Sequence, residues 1–142
     1  MKKVAASILV CILIIQVFSP VAFAATKSNA FINEYGAGLT SPSSDTIQVN
    51  FYLYGTGYMS SLGATTINLY EDGALLATFS RFNPVYTASM MTTNSYRFFG
   101  SISYPAKAGS TYYATVSFFA TNSSGTGSEG CSTGNYTMPS SP

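Results

Sequence analysis

Histidine and tryptophan are both missing from the sequence. Without an imidazole there is no Ser-His-Asp or Cys-His relay, and the usual nitrogen donors of zinc sites are gone. Charge is nearly as scarce, with six Lys and Arg and five Asp and Glu in 142 residues, a net of +1. The cations do not cluster, so no basic patch exists to hold a phosphate backbone, and nucleic acid is not an expected partner. Glycoside hydrolysis needs two carboxyl groups facing each other across a cleft. Here Glu71 and Asp72 adjoin in an expected turn, and Glu34, Asp45 and Glu129 stand alone. A calcium site at Glu71 and Asp72 is outweighed by ordinary turn chemistry. No Gly-rich phosphate loop follows a strand and opens a helix, and Gly55-Thr56-Gly57 reads as a plain loop. The chain is therefore expected to be no enzyme, and to carry no cofactor and no metal.

The long apolar run is confined to the N-terminus. Lys2 and Lys3 precede an almost wholly apolar stretch from Val4 to Val17, Ser19-Pro20 breaks it, and Ala22-Phe23-Ala24 supplies small residues at a cleavage site. The run is short for a membrane span, and Val10 before Cys11 is not the small residue a lipoprotein signal wants. Residues 1–24 are read as a signal peptide, residues 25–142 as one exported domain. Membrane contact is expected only through the leader before cleavage. No sortase-type Leu-Pro motif or C-terminal apolar tail is found, so no covalent wall anchor is expected.

Loss of Lys2 and Lys3 leaves four cations against five carboxylates in a chain long enough for a packed core. It also leaves Cys131 without an intramolecular partner. The plain reading is a strand thiol packed as a small hydrophobe. The sharper one is an intermolecular disulfide and a dimer through Cys131.

What is present is period-two patterning. Tyr112, Ala114, Val116, Phe118 and Ala120 alternate with Tyr113, Thr115, Ser117, Phe119 and Thr121, between Gly109 and the turn residues Asn122-Ser123-Ser124-Gly125. One set should face a core and the other away from it, in a long central strand. Thr46–Tyr54 repeats the pattern, with Ile47, Val49, Phe51 and Leu53 against Gln48, Asn50, Tyr52 and Tyr54. Thr65–Tyr70 and Ala74–Ser80 read as a hairpin joined at Asp72-Gly73, a pair that tolerates positive φ.

Asn94–Tyr104 is a further strand, with Tyr96, Phe98, Gly100, Ile102 and Tyr104 on one face. Phe31–Gly36 reads as a short first strand, Gly36–Ser44 as turn, Gly55–Gly63 as loop, and Glu129–Met138 as a last, edge strand. Met90-Met91 reads as core filler. No segment shows a helical period. About seven short antiparallel strands with turn signals roughly every ten residues fit an immunoglobulin-like β-sandwich, with a closed barrel as the alternative.

The stretch Gly109, Tyr112, Val116 and Ala120-Thr121-Asn122-Ser123-Ser124-Gly125 resembles the last two-strand unit of fibronectin type III and other immunoglobulin-like domains. The resemblance implies that Tyr112 is a tyrosine corner whose hydroxyl bonds backbone upstream. It departs from those families in lacking their tryptophan and cysteine pair, and it transfers no ligand. The wider pattern, including Ile67-x-Leu69-Tyr70-Glu71, resembles small secreted proteins of Gram-positive bacteria without assigned activity.

The positive functional signal is aromatic. All eleven tyrosines follow the leader. Tyr52, Tyr54, Tyr58, Tyr113 and Phe119 fall on faces read as outward, or in a loop, and are the candidate ligand-binding residues. Exposed rings stack on flat partners at low entropy cost, and Tyr adds a hydroxyl. The expectation is a secreted, non-catalytic binding or adhesion module for a glycan or protein ligand. The alternative is a self-assembling structural surface protein, favoured by low charge and an exposed strand edge. A carbohydrate-active enzyme is the least favoured reading.

Overall fold

The two alternating segments around Phe51 and Ile67 belong to a single strand that serves both layers of the protein. The computed structural model describes residues 26–27 and 30–140, so residues 1–24, read above as a signal peptide, lie outside the described residues. Eight strands and one short helix follow in order: β1 (Thr26–Lys27), β2 (Ile32–Ser43), β3 (Thr46–Glu71), β4 (Ala74–Ser80), α1 (Thr87–Met90), β5 (Met91–Pro105), β6 (Thr111–Asn122), β7 (Gly125–Ser132) and β8 (Tyr136–Thr137). The fold is an all-β sandwich, and all strand pairs are antiparallel.

The 26 residues of β3 set the topology. Its first part pairs with β2 on one side and β5 on the other, and its later part with β6 and, from Thr66, with β4. β7 and β8 extend the second layer from β6. One continuous hydrogen-bonded sheet thus curls into two layers whose apolar faces meet. The Phe118 ring of β6 sits 5.3 Å from Tyr35 of β2 and 6.3 Å from Phe51 of β3. Ile47, Val49, Phe51, Leu53, Ile67, Leu69 and the alternate residues Tyr112 to Ala120 are all buried. Removing apolar side chains like these from water is the main favourable term in such a fold.

The hairpin at Asp72-Gly73 forms as its sequence demands, with φ of 49° and 84°. Its carboxylates are structural. Asp72 accepts from the Thr111 backbone N–H at 3.0 Å, and Glu71 accepts from the Ser110 hydroxyl at 3.1 Å, so the tip of this hairpin is tied to the turn that starts β6. Tyr112 is fully buried, and its hydroxyl accepts from the Lys107 backbone N–H at 2.8 Å, the corner implied by the resemblance.

Several boundaries differ from expectation. Residues 55–63 are not a loop: β3 continues through them past one irregularity, because Met59 and Leu62 are buried and pair with Ser95 and Thr92. Residues 36–43 are strand, paired with β3. Pro42 is tolerated because β1 reaches no further along β2 than Tyr35, so beyond it β2 is an edge. The expected strand at residues 129–138 is instead two: β7 begins at Gly125, directly after the Asn122 turn, where the Asn122 side chain accepts from the Ser124 N–H at 2.8 Å, and ends at Ser132, and β8 follows separately. Tyr96 is exposed rather than sharing the inner face of Phe98 and Ile102, since the β3–β5 register breaks at it, between the Arg97–Tyr54 and Ser95–Met59 pairs.

Candidate functional site: an aromatic platform on an outer face

Strand alternation that buries Val49, Phe51 and Leu53 must send Asn50, Tyr52 and Tyr54 to the opposite face. On the β5 side of the ladder their partners are Ser101, Phe99 and Arg97. Three rungs therefore stand in a row: amide with hydroxyl, ring with ring, ring with guanidinium. Tyr52 and Phe99 are near-parallel at 6.4 Å, and Tyr54 meets Phe99 edge-on at 5.7 Å and Tyr52 at 6.0 Å. Phe99 is 59% exposed, far more than packing requires of a phenylalanine. Beside these rings is a shallow depression of about 480 Å³, lined by Asn50, Phe51, Tyr52, Phe99, Gly100 and Ser101.

The polar part of this face is already ordered. Asn50 Nδ2 donates to Thr40 Oγ1 at 2.8 Å, Thr40 donates to Gln48 Oε1 at 3.4 Å, and Gln48 Nε2 donates to Ser103 Oγ at 3.4 Å. Such bonds fix rotamers before any ligand arrives, which lowers the entropy lost on binding. Tyr52 is held likewise, since its hydroxyl donates to Glu34 Oε1 at 3.2 Å. Burial, and then the negative charge of Glu34, push the Tyr52 phenol above its ordinary value, so it remains a neutral donor.

Not all the expected residues join this site. Tyr52 and Tyr54 do, and Phe99 completes them. Phe99 was legible as the residue out of phase with Phe98 and Ile102, but was not singled out. Tyr58 is 74% exposed and forms a separate edge-to-face pair with Tyr96, at 5.6 Å. Tyr113 lies in the other layer, half-buried and stacked parallel on its ladder partner Tyr70 at 4.5 Å.

Phe119 corrects the outward reading. It is only 3% exposed, because the Arg81 guanidinium lies over its ring at 3.7 Å from the centroid. Cys131 is half-buried against the core, as its plain reading requires, and burial pushes its thiol up to about 11. Among the described residues no group of three or more Cys, Asp and Glu side chains could hold a metal ion.

No protein-family description matches the sequence. No curated protein matches it either. Among solved structures the chain is similar to the GAE domain of GGA2p from Saccharomyces cerevisiae, at 12% identity and a TM-score of 0.28, with 84% of this chain and 99% of that one covered. So distant a likeness informs neither the site nor its use.

Proposed function

We propose that this protein is a secreted, non-catalytic binding module that holds a glycan on the Tyr52–Phe99 platform. The carrying observation is Phe99: a largely exposed ring, near-parallel to Tyr52, beside ordered amide and hydroxyl side chains. Aromatic faces take the apolar C–H faces of sugars, and the amides and hydroxyls take their OH groups, which is the composition of a small-ligand site with few placed polar groups. A protein partner fits less well, because protein interfaces are broad, about 800 Å² per side, with an apolar core.

The non-catalytic reading is supported by the carboxylates. Glu71 and Asp72 brace a turn, Asp45 accepts from Ser43 and Thr46, Glu34 holds Tyr52, and Glu129 accepts from Tyr35. Export is supported by the leader-like pattern of residues 1–24. The finer description of the sandwich as immunoglobulin-like is supported by the Tyr112–Lys107 corner.

The test is an array of bacterial-wall and host oligosaccharides probed with the purified protein and its Tyr52→Ala, Phe99→Ala and Tyr113→Ala variants. Binding lost in the first two and kept in the third places the ligand on this face. No sugar bound at all, or equal loss with Tyr113→Ala, would overturn the reading.

A further inference from the structure

The platform is one of two aromatic clusters joined by a single cation. Arg97 stands opposite Tyr54 on the β3–β5 ladder, and its guanidinium lies 5.4 Å from the Tyr96 ring centroid. Tyr96 in turn meets Tyr58 edge-on, and the two rings are 41% and 74% exposed. A chain of side chains therefore runs from Tyr52 and Phe99 through Tyr54 and Arg97 to Tyr96 and Tyr58.

The charges along it are apportioned. The ion pair found among the described residues is Lys107 with Glu71, which leaves Arg97 without a carboxylate partner in that set. Glu34, across Tyr54 on β2, accepts from Tyr52. Arg97 is exposed, and its flat guanidinium fork of donors lies beside the Tyr96 ring.

Three features select the occupant. The side chains stand on the face of a sheet, whereas a peptide adding as a strand would need an edge. The rings are flanked along the ladder by amide and hydroxyl groups at Asn50 and Ser101 and by the guanidinium of Arg97. The strip also follows β5: three β3 residues are absorbed in the irregularity between Tyr54 and Met59, so the clusters are separated by Phe99 to Tyr96, about 10 Å of extended strand.

We infer, on the reading of the platform as a sugar site, that the ligand is a linear oligosaccharide lying along β5 and stacking on both clusters, with Arg97 hydrogen-bonding the sugar between them. A pyranose is about one rung wide, so stacking on rings about 10 Å apart takes about three sugars. One cluster alone accepts a mono- or disaccharide weakly.

The probes are the chito- and cello-oligosaccharide series, monomer to hexamer, titrated calorimetrically against the full chain and its Tyr58→Ala and Arg97→Met variants. Both substituted positions are exposed, and near-ultraviolet circular dichroism checks the fold. Affinity is expected to rise about tenfold or more between disaccharide and hexamer. Each variant is expected to weaken the hexamer about five- to tenfold and leave the disaccharide unchanged. Disaccharide and hexamer bound equally, or a hexamer indifferent to both variants, overturns the two-cluster inference while the platform stands. Neither series bound at any length overturns the two-cluster inference, and a glycan array that is blank as well overturns the platform reading with it.

Discussion

Gly36 lies directly beneath the ring of Tyr52. A Cβ built on Gly36 would sit 2.7 Å from Tyr52 Cε1, closer than such carbons approach one another, so the ring and any side chain at position 36 compete for one space. Gly36 is also the ladder partner of Tyr52. The absence of a side chain on β2 is what lets Tyr52 lie down across its neighbour and reach Glu34.

Gly36→Ala should therefore damage the site before it damages the fold. The atoms in the way belong to a side chain that can rotate, so the ring is expected to lift and the bond to Glu34 to break. Sugar binding should fall about as far as in Tyr52→Ala, while loss of stability stays near 1 kcal/mol, the worth of one hydrogen bond. Chemical denaturation beside glycan titration checks this. Unchanged binding would show that the ring's pose does not matter.

Tyr112→Phe isolates the corner at the start of β6. The ring stays, but the Lys107 N–H loses its acceptor. The expected cost is about 1 kcal/mol, or ~3–6 °C in Tm for a domain of this size. A thermal melt that matches the wild type would mean water or another group replaces the hydroxyl at no cost.

How much of this was legible varied with how local the cause was. Tyr112, Ala114, Val116, Phe118 and Ala120 alternate without interruption, and all five are buried. Asp72-Gly73 encodes its own turn through φ values few other pairs accept. By contrast, Gly55–Gly63 is rich in Gly and Ser and carries no strand signal of its own. It is held extended by β5, about thirty residues away in sequence. Residues 36–43, rich in Gly and Ser with Pro42, likewise carry no strand signal of their own, and are held extended by the neighbouring β3. At the site, alternation gave the outward direction of Tyr52 and Tyr54, but nothing local says that Phe99 would be their partner. Nor does it say that Arg81, from the loop after β4, would cover Phe119.

Arg81 should be more useful for its bulk than for its charge. Its guanidinium lies between Phe82, at 4.5 Å, and Phe119, at 3.7 Å, and its buried Nε has no hydrogen-bond partner. Cation–π contact favours the residue, whereas the unsatisfied donor opposes it, each by about 1–3 kcal/mol. The stem covers an apolar ring whatever its end group. Arg81→Met is thus expected to keep or raise stability, and Arg81→Ala to lower it by about 1–2 kcal/mol. Urea midpoints give the order, and Met no better than Ala would sink the argument.

Cys131 should behave as a core thiol and not as a handle. Burial raises it from an ordinary value of 9.0 to about 11, so the thiolate, which is the reactive form, is scarce at neutral pH. Below pH 9 folded and unfolded chains both hold the proton. Between about 9 and 11 the unfolded chain releases it while the folded chain keeps it, so the native state binds more protons and stability falls as pH rises through that window. Iodoacetamide is therefore expected to label the native protein slowly at about pH 8, faster as pH approaches 11, and quickly at either pH once urea unfolds it. A non-reducing gel should show monomer. Rapid labelling of the native protein at about pH 8, or a dimer that dithiothreitol dissolves, would return the weight to a disulfide between two copies.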